Sequence, residues 1–304
     1  MNRRSIAIYL SIIGLLFALA LGWYIRAFYL DRLAASVIFD GKRALADVQT
    51  QVAFGPRIPG SDAHAKILAW MRTELESAGW QVEIQQSEAM GHPIQNLVAY
   101  RSADVAPQII LGAHYDSRLR ANRDPNPANQ MKPVPGANDG ASGVAVLLEL
   151  ARTLPKDSIP VELVFFDAED NGEIPGWDWI LGSTAFVQNM KTKPQAMILV
   201  DMIGGANPKF YMEGNSDAKL RASIWTTASK LGFKDSFISQ IKYNILDDHI
   251  PFVQAGIPSV DIIDIDYPYW HTLADTPEHV SADSLKMVGD VLLEWLDHQK
   301  SQPN

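Results

Sequence analysis

Val161-Glu162-Leu163-Val164-Phe165-Phe166-Asp167-Ala168-Glu169-Asp170 reads as six residues of strand that run straight into three acids within four positions. A strand with one wet face alternates apolar and polar residues, whereas this run, like Ile109-Ile110-Leu111-Gly112-Ala113, is close to continuously apolar. Such runs belong where helices cover both faces of a mostly parallel sheet. Further strand-like runs fall at residues 80–85, 94–100, 197–200 and 259–265. Helical patterns separate them. Ser61 is placed to cap a helix reaching residue 78, with Ile67, Leu68, Met71 and Leu75 on one face and Gly79 as its stop. Others are expected at residues 140–154, 183–190, 217–231 and 282–299. The alternation predicts an α/β fold, a three-layer αβα sandwich with a mostly parallel mixed central sheet.

In an open α/β sheet the ligand crevice lies beyond the carboxyl ends of the strands. There the sequence places His114 and Asp116 after one strand, Asp167, Glu169 and Asp170 after the next, and Asp201 after the third. The last strand leads through Asp264 and Asp266 to Trp270-His271, and the turn Pro135-Gly136-Ala137-Asn138-Asp139-Gly140 adds an acid directly before a helix. Carboxylates crowded into a crevice repel one another unless protons or a cation compensate. The chain has no cysteine, so a metal here must use histidine and carboxylate. That donor set suits zinc at about 2.0–2.2 Å, and a bridging carboxylate can serve two metals about 3.5–4 Å apart. Calcium and magnesium do not ordinarily recruit histidine. His114, Asp139, Asp170, Asp201 and His271 taken together are the candidate metal set. Asp116, Asp167 and Asp275 have two readings, as caps of the following segment or as carboxylates that orient a ligand histidine. His64, His92, His279 and His298 fall outside the pattern.

With 304 residues, 47% hydrophobic and 20% charged, the chain can bury a sizeable core, which excludes disordered and fibrous classes. A net charge of -9 provides no field for a polyanion, so no nucleic-acid partner is expected. Residues 6–25 carry no charged side chain and lie between Arg3-Arg4 and Arg26. At about 1.5 Å per residue such a run crosses a hydrocarbon core of about 30 Å. Residues 1–30 are therefore read as a membrane anchor (one transmembrane helix), the alternative being a cleaved signal peptide with Ala18-Leu19-Ala20 as an imperfect cleavage site. Either version exports residues 31–304, which show no repeat or low-complexity tract and are expected to form one catalytic domain facing the periplasm or the exterior. Residues 125–134, rich in Asn and Pro, read as an exposed loop. Nothing in the sequence speaks to oligomeric state.

Six strings in this order resemble the M28 family of zinc peptidases and its relatives, the glutaminyl-peptide cyclotransferases. They are Gly55-Pro56-Arg57 with Pro59-Gly60-Ser61, His114-Tyr115-Asp116-Ser117, Pro135 through Gly143, Phe165 through Asp170, Asp247-Asp248-His249-Ile250-Pro251-Phe252 and Trp270-His271-Thr272. The resemblance implies that His114, Asp139, Asp170, Asp201 and His271 stand at metal-ligand positions, with Asp139 bridging, and Glu169 at the general acid/base position. It also implies a strained or cis peptide at Asp139–Gly140. Asp170 departs from the pattern, since many relatives have Glu there.

Two reactions fit that skeleton. In an aminopeptidase with two zinc ions, water attacks the first peptide carbonyl while Glu169 takes and returns the proton. In a cyclase with one zinc, held by Asp139, Asp170 and His271, the substrate's own α-amine attacks the γ-carboxamide of its N-terminal glutamine and ammonia leaves. Glu169, Asp201 and Asp247 then form an acidic hydrogen-bond network, and Trp177 and Trp270 wall the substrate. The Asp247 string and these two tryptophans resemble the cyclase branch more closely, because aromatic walls suit a pocket that folds glutamine back on its amine. A residue run from Tyr267 to Thr272 followed by Asp275-Thr276 also resembles bacterial aminopeptidases. The expected partner is a peptide or protein N-terminus in both cases, and a membrane through the N-terminal helix. A third reading, an anchored binding module without catalysis, is disfavoured by the complete ligand set.

Overall fold

The structure, a computed structural model, describes residues 3–26 and 38–300, with side chains from Ile13 to Tyr24, at Arg26 and from Ile38 onward. The chain divides into two compact units that meet in sequence between Ile38 and Phe39. The first contains helix α1 (Arg3–Ile25), whose described side chains, Leu15, Phe17, Leu19 and Trp23 among them, are exposed. Among the described residues no helix is long and apolar enough to cross a membrane. The expected anchor lies partly outside the described side chains, and the expected boundary at residue 30 lies outside the described residues altogether.

The second unit runs α2 (Gly41–Ala53), α3 (Asp62–Ser77), β1 (Gln81–Ala89), β2 (His92–Tyr100), β3 (Ile109–His114), α4 (Ala141–Thr153), β4 (Val161–Phe166), α5 (Leu181–Asn189), β5 (Ala196–Asp201), β6 (Phe210–Glu213), α6 (Ala218–Lys230), β7 (Phe237–Tyr243), α7 (Ile250–Gln254), β8 (Ser259–Ile263) and α8 (Ala282–Lys300). Six strands form the central sheet in the order β1-β2-β4-β3-β5-β8. Only β2 runs against its neighbours; β4, β3, β5 and β8 are parallel, so their carboxyl ends share one rim.

The pleat explains why the strands read as continuously apolar. Leu163 and Phe165 point into a large core with α2, α3, α4, α6 and α8, while Val164 and Phe166 point the other way, onto Phe186 of α5 and Phe252 of α7. Leu111 and Ile110 on β3, and Ile198 and Leu199 on β5, divide in the same manner. Each such side chain stabilises the fold by about 1.5–3 kcal/mol on leaving water, and a one-residue slip in register would exchange the two faces. Helices thus cover both faces, and the layers hold the rim rigidly.

Ser61 caps α3 by accepting from the His64 N–H at 3.2 Å, as its sequence position implies. Three features were not legible beforehand. Helix α2 is capped by Asp40, which accepts from the N–H groups of Lys42 and Arg43. A separate two-stranded sheet pairs β6 with β7, and the short helix α7 follows it. Four-residue β6 is too short for periodicity, and β7 is largely exposed, so neither carries the apolar signature of the central strands.

Candidate metal centre

The rim brings His114, Asp139, Asp170, Asp201 and His271 into one buried cluster. His114 is the last residue of β3 and Asp201 the last of β5; Asp139 ends the turn before α4, and Asp170 follows β4. His114 Nε2 lies 3.0 Å from Asp139 Oδ1 and 3.3 Å from Asp201 Oδ1, and His271 Nε2 lies 2.9 Å from Asp170 Oδ1 and 3.6 Å from Asp139 Oδ2. Two trios of donors result, His114–Asp139–Asp201 and Asp139–Asp170–His271, joined through Asp139.

Polar atoms without partners point into the cluster. His114 Nε2, Asp139 Oδ2, Asp170 Oδ2 and His271 Nε2 are buried and make no hydrogen bond. Each such group left unsatisfied costs about 1–3 kcal/mol. Burial pushes the Asp170 carboxyl up to about 6, with Asp139 adding to the effect. Burial also lowers the His114 pKa, but Asp201, Asp116 and Asp139 outweigh it and carry the imidazole well above its ordinary value. The protein alone must therefore hold protons where a divalent cation would satisfy the same lone pairs, and histidine with carboxylate is a zinc donor set.

The supporting groups settle which readings of the neighbouring acids hold. Asp116 Oδ1 is 3.3 Å from His114 Nδ1 and accepts from the Glu169 N–H at 3.1 Å, while its Oδ2 accepts from the Asp170 N–H at 3.3 Å. One carboxylate thus orients a histidine and a two-residue acid pair. Asp275 accepts from the N–H groups of Asn138 and Asp139 at 2.8 and 3.2 Å and from the Tyr267 hydroxyl at 2.9 Å, which fixes the Asp139 turn. Asp167 belongs elsewhere, paired with His64 Nε2 at 2.7 Å. His64, outside the pattern in sequence, is therefore a partner of this structural acid. The Asp139–Gly140 peptide is cis, and a Cβ on Gly140 would meet the carbonyl and ring of His114, so only glycine fits there. Ala168, Met202 and His271 sit at φ of 51°, 44° and 57°, a left-handed conformation that costs a non-glycine residue about 1–3 kcal/mol, and each is in or next to the cluster.

Beside the cluster opens a cavity of about 350 Å³. Glu169, Asp201, Asp247 and Trp270 all line it, together with Arg118, Trp179, Ile245, Leu246 and Ile265. Glu169 has its carboxyl pushed well above the ordinary range, by burial first and then by Asp170, Asp247 and Asp248. Asp247 is raised likewise by burial, Asp201 and Asp248.

The aromatic wall differs from the expected one. Trp177 is not among the lining residues; it stacks on His92 with ring centroids 3.6 Å apart and packs against Ile94, Ala168 and Leu181. Trp179 takes the place at the cavity, its ring parallel to that of His271 at 6.1 Å and packed on Gly172, where any Cβ would overlap it. A two-residue offset moved the ring because residue 179 bridges back to Asp170.

Sequence reasoning also passed over Arg118. It is buried, donates to the Asp170 carbonyl at 2.8 Å, the Gly172 carbonyl at 3.1 Å and Asn122 Oδ1 at 2.6 Å, and lies over the Trp179 ring at 4.8 Å. Its signal was its place two residues after Asp116, where a cation offsets part of the acid. Residues 125–134 form a loop with one turn of 3₁₀ helix at Pro127–Asn129. Just before it, Asp124 accepts from Leu273 N–H at 3.0 Å and the Arg123 N–H donates to the His271 carbonyl at 3.2 Å, so the loop braces the His271 turn.

Residues 96–296 match the profile of peptidase family M28. The chain is similar to the Porphyromonas gingivalis glutaminyl cyclase, with 35% identity and a TM-score of 0.82 over 86% of this chain and 99% of that one. It is equally similar in fold to a leucine aminopeptidase precursor from Bacteroides thetaiotaomicron, at 32% identity and a TM-score of 0.82 over 88% and 98% of the two chains. A glutaminyl-peptide cyclotransferase-like protein of Bos taurus is 26% identical over 283 residues, 79% of this chain and 71% of that protein.

Proposed function

This chain belongs to peptidase family M28, and from that premise we propose that it is a zinc metalloenzyme acting on peptide N-termini, a glutaminyl-peptide cyclotransferase that converts N-terminal glutamine to pyroglutamate with release of ammonia. The observation that carries the reading is the cavity in which Trp179 and Trp270 stand beside Glu169 and the Asp139–Asp170–His271 trio. A zinc ion held by that trio would supply a Lewis acid for the γ-carboxamide oxygen. The two tryptophans wall a space that suits the folded glutamine side chain and excludes water, which would otherwise compete with the α-amine.

Glu169 moves the proton. As the α-amine nitrogen bonds to the γ-carbonyl carbon, the Glu169 carboxylate takes a proton from that nitrogen. As the bond from that carbon to the amide nitrogen breaks, the same carboxyl gives the proton to departing ammonia. A carboxyl pushed upward by burial and neighbouring acids suits both halves of the exchange. Asp201 and Asp247 line the same cavity, and Asp247, with Asp170 and Asp248, keeps Glu169 in a strongly acidic surrounding. Nucleophile and electrophile share one residue, so holding that residue in the attacking conformation supplies much of the acceleration.

The test is a purified domain supplied with a glutamine-terminated peptide and, separately, a leucine-terminated one. Ammonia and pyroglutamyl product from the first, with the second untouched, support the cyclase. Release of leucine with no action on glutamine transfers the assignment to an aminopeptidase. A specific observation favours keeping that second reading in view: the His114–Asp139–Asp201 trio offers a second set of donors sharing Asp139. Zinc stoichiometry separates them, one ion per chain for the cyclase and two for the aminopeptidase. We also place the catalytic domain outside the cytoplasm, anchored by the uncharged segment of residues 6–25 behind Arg3 and Arg4. Recovery of the full chain in the soluble cytoplasmic fraction would refute that placement.

A further inference from the structure

One side of the cavity is made by a single stretch of chain, residues 243–247, which starts at the last residue of β7 and runs towards α7. This stretch carries Asp247 and, after Tyr243, has no regular secondary structure of its own. What holds it is a group outside the cavity. Glu213, the last residue of β6, is buried and receives hydrogen bonds on both carboxylate oxygens. Oε1 accepts from the N–H of Asn215 at 2.8 Å and of Ile245 at 3.0 Å; Oε2 accepts from the Ser216 N–H at 2.7 Å and hydroxyl at 2.8 Å, and lies 3.2 Å from His249 Nε2. Ile245 and His249 flank Asp247 at equal distance in sequence. The Glu213 carboxylate therefore grips the wall segment by a hydrogen bond at Ile245, on one side of the acid it presents, with the His249 ring 3.2 Å away on the other.

The neighbours reinforce the grip. The Gly214 N–H donates to the Tyr243 carbonyl at 2.7 Å, and Asn215 Nδ2 donates to the Ile245 carbonyl at 3.1 Å. Burial raises the Glu213 pKa, but the His249 ring and the N–H groups of Asn215 and Ile245 outweigh it and hold the carboxyl down at about 2. An ionised acceptor with only donors around it is geometrically demanding, since an amide in its place would turn an NH₂ group toward at least two of those donors.

We propose that Glu213 is a positioning residue for the reaction: its carboxylate fastens Ile245, with the His249 ring beside it, and so holds Asp247 in place. For the reaction itself the proposal rests on the cyclase reading. The clamp does not pass through the metal, because neither trio contains a residue of residues 243–249.

The experiment is Glu213→Gln in the full chain beside the wild type. Turnover of a glutamine-terminated peptide should fall about 10–100-fold in kcat/KM, the scale of a displacement near 1 Å at the reacting groups. Zinc content should match the wild type. Amide hydrogen exchange should speed up at Ile245 while the protection of β3 and β5 stays as it was. A double variant with Asp247→Asn should be no slower than Asp247→Asn alone, because Glu213 acts through that residue. Wild-type kcat/KM, unchanged exchange at Ile245, additive losses in the double variant, or loss of zinc would each overturn the proposal. If Glu213→Gln does not fold, Ser216→Ala removes one donor from Oε2 and should speed exchange at Ile245 more mildly; unchanged exchange there overturns it equally. If the wild type does not cyclise glutamine, the proposed function fails, and exchange at Ile245 together with zinc content still decides the clamp.

Discussion

Replacing Glu169 by Gln separates proton transfer from metal binding. The backbone of residue 169 is held from both sides, its N–H by Asp116 Oδ1 at 3.1 Å and its carbonyl by the Ile180 N–H at 3.0 Å, so the substituted side chain should occupy the same place. Glu169 belongs to neither donor trio, and its removal takes one acid out of a group that includes Asp170, Asp247 and Asp248. Shape is kept and one titratable proton is lost. A positioned acid/base contributes about 10²–10⁴ in rate, or about 3–5 kcal/mol of barrier at 1.36 kcal/mol per decade, so kcat for glutamine-terminated peptides should fall by that factor. KM should stay near the wild-type value, because the tryptophan wall and the trio are untouched. The assay is ammonia release under saturating substrate, with zinc measured in the same preparation by elemental analysis. A kcat within a few-fold of the wild type refutes Glu169 as the shuttle. Loss of zinc refutes the assignment of the trios.

Three further outcomes are expected. His271→Ala should lose zinc and turnover together, because the imidazole is the only nitrogen donor of its trio; retained zinc with full activity would show that the ion binds elsewhere. Trp179→Ala should raise KM about 10–100-fold, and Trp177→Ala should leave it within about twofold, since only the first lines the cavity; steady-state kinetics with one peptide reads both. Burial pushes Asp170 up to about 6 and Asp248 up to about 7, both from 3.8. A carboxyl raised on folding contributes stability fully present below its unfolded value and lost as pH rises through its folded value. The metal-stripped domain should therefore lose thermal stability between about pH 4 and pH 7, at about 2–4 °C per kcal/mol for a domain of this size. Asp248→Asn should flatten that slope in a thermal scan, and an unchanged slope would refute the role given to Asp248.

Much of this centre was legible because its donors are tied to strand ends. An apolar run such as 161–166 identifies a buried strand, and in a parallel sheet every such strand ends on one rim, so His114 and Asp201, the last residues of β3 and β5, converge whatever the loops do, while Asp170 depends on the turn that follows β4. Asp116, Asp167 and Asp275 are the instructive contrast. The sequence offers the same two readings for all three, yet Asp116 and Asp275 brace the cluster while Asp167 turns to His64. Local sequence fixes that an acid stands after a strand, but the side of the chain to which it points depends on the pleat and on partners 53 to 137 residues away.

The same division holds for the aromatic wall and for the clamp on Asp247. The chain by itself determined a two-faced apolar sheet, a set of acids and imidazoles at its ends and the absence of thiolate chemistry, since these follow from residue type and period. Only the tertiary structure chose Trp179 over Trp177, set Arg118 beneath Asp170 and brought Glu213 of a minor sheet to both sides of Asp247. Those choices come from contacts between segments distant in sequence, and neither composition nor periodicity encodes which remote groups will meet.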